Sequence, residues 1–129
     1  MFPVTAFDKD DEDLIFSIII IDAIYLIAFS EDLPTSDQIK VIQRIRNSEP
    51  VLQNSKMVNV IIADALEEKL ANDFIRTANS VLLNMTRIIN DKDRCLKVME
   101  YAQEVALAGK TISPTVQNFL DRLSDALAL

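Results

Sequence analysis

The chain has 129 residues, half of them hydrophobic and about a quarter charged, with a formal net charge of −7 and a pI near 4.5. That balance excludes a disordered chain and disfavours an electrostatic hold on nucleic acid or on an anionic membrane surface. There is no histidine, one glycine and one cysteine, which removes histidine-based triads, imidazole-ligated zinc, phosphate-cradling glycine loops and any intramolecular disulfide.

The length fits one domain, 1–129, able to bury about two-thirds of its unfolded surface without a disulfide or metal. The opening stretch, Met-Phe-Pro-Val-Thr-Ala-Phe, is uncharged and runs into acids, unlike a secretory leader, so a cytoplasmic location is expected. Residues 8–13, Asp-Lys-Asp-Asp-Glu-Asp, suit a helix N-terminus, where the dipole is positive. The first helix is predicted from Asp11 to Phe29. Its stretch Leu14–Phe29 is apolar all round except for Ser17 and Asp22. A membrane span wants about 20 apolar residues and tolerates a central carboxylate badly. A buried central helix is the reading taken.

Pro34 breaks the chain, and Thr35 or Ser36 caps a second helix over 36–46, with Ile39, Ile42 and Ile45 as its stripe and Val41 beside them. Residues 47–54 form a loop or short turn around Pro50. Ser55 caps a helix over 56–70, whose apolar face is read as Val58, Ile61, Ile62, Ala65, Leu66 and Leu70. The next helix spans 73–89 and turns Phe74, Ile75, Ala78, Leu82, Met85 and Ile89 inward. Asp91 caps another, carrying Leu96, Met99, Ala102, Val105 and Ala106 at helical spacing, and Gly109 would end it in a left-handed conformation. Ser113-Pro114 is a cap and first-turn pair for the last helix, with Val116, Phe119, Leu120, Leu123 and Leu127 facing the core. With so few turn glycines, the pattern predicts an all-α protein, a compact bundle of six to seven helices.

Chemically competent residues are few. Cys95 has no histidine partner and reads as an ordinary buried cysteine. The pairs Asp11/Asp13 and Glu67/Glu68 read as solvated charge on helix faces rather than acid–base machinery. Asp22, inside the most apolar helix, must be paired or protonated if buried, and Arg44 or Arg76 is the expected partner. A metal at Asp22 has no EF-hand spacing behind it.

One pattern recurs. "IAFSEDLPTSDQIKVIQRI" at 27–45 and "VALAGKTISPTVQNFLDRL" at 105–123 align without a gap, so that Thr35 falls on Ser113, Ile42 on Leu120 and Arg44 on Arg122. This duplicated helix-turn-helix corner resembles the TerB-like family of small all-helical proteins, the tellurite-resistance group. Their corner has a helix ending in Ala-Asp-Gly, a break with Ile or Val before Ser, and a second helix opening on Glu. Gly109, Ile112 and Ser113 match it in the second copy, and Ala28 and Leu33 in the first. The likeness spans about residues 10–127 in helix order and loop placement. The family's aspartate falls on Ser30 and Ala108, and its glutamate on Gln38 and Val116. In the family those acids are the proposed metal-associated positions. Here the first corner keeps only displaced carboxylates, Glu31, Asp32 and Asp37, and the second keeps none.

The resemblance therefore implies a cytoplasmic, non-enzymatic interaction or accessory protein, linked to tellurite or another stress response. Its partner would be another protein or a second copy, with no cofactor, no nucleic acid and no membrane span. The alternative is a divalent-metal sensor using Glu31, Asp32 and Asp37. Thr35 and Ser113 are expected to cap their helices, Leu33 and Ile112 to plug the turns into the core, and the two corners to be related by an approximate two-fold axis.

Overall fold

A computed structural model describes residues 9–129, with side chains from Asp11 onward. Asp8 and the uncharged opening stretch read above lie outside the described residues. Among the described residues seven α-helices follow one another: α1 (Lys9–Phe29), α2 (Ser36–Ser48), α3 (Pro50–Asn54), α4 (Lys56–Asn72), α5 (Phe74–Asn84), α6 (Lys92–Ala108) and α7 (Pro114–Ala126). A 3₁₀ turn, Met85–Ile88, follows α5. The described residues contain no strand, and the protein is an all-α bundle.

α1 is the axis of the bundle. It packs against each of the other six helices and the 3₁₀ turn. Its Ile19, Ile20, Ile21, Ile24, Leu26 and Ile27 are essentially sealed from solvent, each burial contributing roughly 1.5–3 kcal/mol relative to exposure. The two serines in and after this apolar run turn back on their own helix. Ser17 Oγ donates to the Leu14 carbonyl and Ser30 Oγ to that of Ile27, each at 2.7 Å, so neither buried hydroxyl is left unpaired. No helix among the described residues is long and apolar enough to cross a membrane.

The second layer departs from the sequence reading in several places. The 47–54 segment is the short helix α3, started by Glu49, whose side chain accepts from the Val51 amide at 3.0 Å. The helix read over 73–89 tightens into the 3₁₀ turn after Asn84. Ser55 makes no side-chain cap to α4. On α4 the inward residues are Asn59, Ala63, Leu66 and Leu70, whereas Val58, Ile61 and Ala65 are exposed and Ile62 is half-buried. On α5 the inward residues are Thr77, Ala78 and Val81, with Phe74 and Leu82 partly buried against the core; Ile75 points out, as does Ile89 beyond the turn. On α2 Ile39 is exposed, and on α6 Leu96 is exposed while Cys95 and Val98 are buried. These helices are apolar over more than one stripe, and the neighbours they pack against in the bundle cover only one of them. α7 buries Val116, Phe119, Leu120 and Leu123, with Leu127 beyond its end, as its spacing predicts.

Candidate functional site

The two corners meet. Thr35 (φ −72°, ψ 162°) and Ser113 (φ −70°, ψ 162°) adopt nearly identical extended cap conformations. The Thr35 hydroxyl accepts from the Gln38 amide, and that of Ser113 from the Val116 amide, each at 3.2 Å. The first corner closes a full capping box, because Gln38 Oε1 also accepts from the Thr35 amide at 3.0 Å. The second cannot, since Val116 stands at the equivalent place and packs inward. The spare end of Gln38 crosses to the other corner, where Nε2 donates to the Val105 carbonyl at 3.4 Å.

The single glycine lies at this crossing and does not take its expected role. Gly109 has φ −77°, and the left-handed residue is its neighbour Lys110, at φ 74°. A Cβ on Gly109 would sit 3.3 Å from Gln38 Nε2. That contact is tight but involves only the flexible end of a side chain from the opposite corner, and the lysine carries the left-handed conformation. Leu33 is also not the plug expected of it, being 69% exposed, while Ile112 does pack against the core. Pro34 and the Asp32 side chain, which accepts from the Leu33 amide at 2.8 Å, turn the first corner without a left-handed residue.

Between the corners lies a hollow of about 100 Å³, edged by Glu31, Asp32, Thr35 and Gln38 on one side and Gly109, Thr111 and Val116 on the other. Asp37 does not line it. Glu31, Asp32 and Asp37 are all exposed. Among the described residues no three His, Cys, Asp or Glu side chains converge as a metal group.

A larger opening lies elsewhere. A cleft of about 530 Å³ runs between α4 and α5 over α1, and Asp22 of α1 lines it. Asp22 is 6% exposed. Its expected arginine partners are engaged otherwise: Arg44 pairs with Glu104 of α6, and Arg76 with Asp73 at 3.5 Å. Arg44 lies on α2, which packs on α6 rather than over this cleft. Arg76 reaches the cleft, but its guanidinium turns to its own helix start. What Asp22 has instead is a long hydrogen bond, Asn84 Nδ2 donating to Oδ2 at 3.4 Å. Its other oxygen, Oδ1, has no hydrogen-bond partner among the described residues. Burial pushes the carboxyl up to about 6, against the smaller opposing pulls of the Asn84 bond, Lys69 and Arg87. Such a group, in a cleft with apolar walls, marks a place able to receive a ligand.

The remaining sequence candidates are structural. The Cys95 thiol is buried, donates to the Ile88 carbonyl at 3.2 Å, and is held above its ordinary pKa by burial and by Asp91. Such a thiol is a poor nucleophile. Asp13 pairs with Arg94 at 2.6 Å, which ties the start of α1 to α6; Asp11 is exposed, as are Glu67 and Glu68. Sequence reasoning missed Glu49, a buried carboxylate that accepts from the Tyr101 hydroxyl at 2.8 Å with Lys97 at 3.8 Å. The signal present for α3 was Pro50, at the first turn of a helix; glutamate is not a usual cap residue. Asn59 was missed as well. It reads as polar, yet it is buried, donates to the Leu52 carbonyl at 2.9 Å and leaves its Oδ1 unpaired. Comparison with family models, with curated proteins and with solved structures finds no match.

Proposed function

We infer that this protein is a non-enzymatic helical interaction protein of the TerB-like kind, cytoplasmic, working in the response to tellurite or another stress. The duplicated corner supports the family part of this reading. The absence of histidine and the buried, proton-retaining thiol of Cys95 support the non-enzymatic part. The observation that carries the interaction part is on α4. Val58, Ile61 and Ala65 follow one another at helical spacing on its surface, beside half-buried Ile62, and Ile61 is 67% exposed. An amphipathic helix normally turns such a stripe to a partner. Here the partner is another protein's apolar helix or a second copy of the chain.

Ile61→Glu tests this reading. Ile61 is exposed, so the variant should fold with a stability within about 0.5 kcal/mol of the parent. Sedimentation across a wide concentration range, together with cross-linking in tellurite-challenged cells, should show an assembly that the parent makes and the variant does not. A parent that stays monomeric and a cross-linked set unchanged by the substitution would refute it. The stress role is checked in the same cells, where loss of tolerance should follow loss of the assembly.

A further inference from the structure

Asp22 presents a problem that the bundle does not solve internally. A carboxylate this deep ordinarily has an ion pair or several donors. Here one oxygen has a single long amide contact, and among the described residues the other has no hydrogen bond and no ion pair reaches either. The group is not walled in, for it borders a cleft large enough for an organic molecule. Ile62, Leu66 and Val81 supply apolar walls, and Lys69 and Arg76, both exposed, stand on the rim.

We propose that the α4–α5 cleft is a binding site for a small aliphatic amine whose far end carries an anionic group. The ammonium meets the open oxygen of Asp22, the methylene chain lies along Ile62, Leu66 and Val81, and the anion meets Lys69 on the rim, Arg76 being held by Asp73. An ammonium supplies the charge-assisted hydrogen bond that the carboxylate lacks. A simple carboxylic acid gains nothing at the floor of the site and is repelled there. A simple alkylamine satisfies Asp22 but leaves the rim unused. This small-molecule site borders the α4 surface stripe, sharing Ile62 and Ala65 with it, but it is centred on Asp22 and its test does not depend on that stripe.

The test is thermal unfolding at about pH 8, where Asp22 is ionised and an alkylamine of pKa near 10.4 is still protonated. The probes are ω-aminohexanoate, hexylamine and hexanoate. At roughly ten times its dissociation constant a bound probe raises the midpoint by several degrees. ω-Aminohexanoate should do so at the lowest concentration, hexylamine at a higher one, and hexanoate not at all. Asp22→Asn, which retains the shape of the floor, should respond to none of them. Lys69→Gln, on the exposed rim, should bring ω-aminohexanoate down to the level of hexylamine. A wild-type protein that responds to no amine, or an Asp22→Asn protein that responds like wild type, would overturn the site. Equal responses to hexanoate and the amines would overturn the role of Asp22. An unchanged preference in Lys69→Gln would overturn the anionic end.

Discussion

Replacing Asp22 with asparagine should make the protein more stable at neutral pH. Burial moves the carboxyl from 3.8 to about 6. Between those values the folded chain holds a proton that the unfolded chain has released, so stability falls as pH rises through the window. The whole loss is in place above the folded midpoint, and at 1.36 kcal/mol per pH unit it is about 3 kcal/mol. Asparagine has nearly the same shape, cannot ionise, and offers an oxygen to the Asn84 amide that now reaches Asp22 at 3.4 Å. The variant should therefore exceed the parent by about 3 kcal/mol at about pH 7.5, and by only about 0.5 kcal/mol at about pH 4. Urea unfolding followed by circular dichroism measures both, with equal slopes showing that the unfolded states are comparable. Other carboxylates titrate alike in the two proteins and cancel in the difference. A variant no more stable than the parent at neutral pH, or a difference independent of pH, would refute the reasoning.

Lys110→Gly should stabilise by roughly 0.5–1 kcal/mol in thermal or urea unfolding, because φ 74° strains a lysine and not a glycine. Thr35→Ala and Ser113→Ala should each cost about 1 kcal/mol, since each hydroxyl caps a helix amide at 3.2 Å. Tyr101→Phe should cost about 1–3 kcal/mol by the same measurement, leaving the buried Glu49 carboxylate without its 2.8 Å donor. Micromolar calcium, zinc or manganese should leave the melting temperature unchanged, as the three corner carboxylates are exposed and do not converge; a shift of several degrees that Asp32→Asn with Asp37→Asn abolishes would restore the sensor reading.

The sequence by itself determined the six longer helices and most of their starts, but not the short α3. Thr35, Asp91 and Ser113 cap where their side chains predict, because a cap is a bond between a residue and an amide three positions on. It also determined that α1 is central, since a helix apolar all round has no face to show to water. Local chemistry was not enough where a helix offered two apolar stripes. On α4 the set Val58, Ile61, Ile62 and Ala65 and the set Asn59, Ala63, Leu66 and Leu70 have the same period, and α1, α3 and α5 select the second. Periodicity gives the spacing of a face but not its direction. The same holds for the two residues that matter most to the sites. Gly109 meets Gln38 from 71 positions away (109 against 38), whose Nε2 lies 3.3 Å from where a Cβ would be. Asp22 lacks its arginine because α2 turns Arg44 toward Glu104 and α5 turns Arg76 toward Asp73. The Gly109–Gln38 approach and the Arg44–Glu104 pair are encounters between segments distant in the chain, so only the packed structure could decide them; the Arg76–Asp73 pair is local, three positions apart.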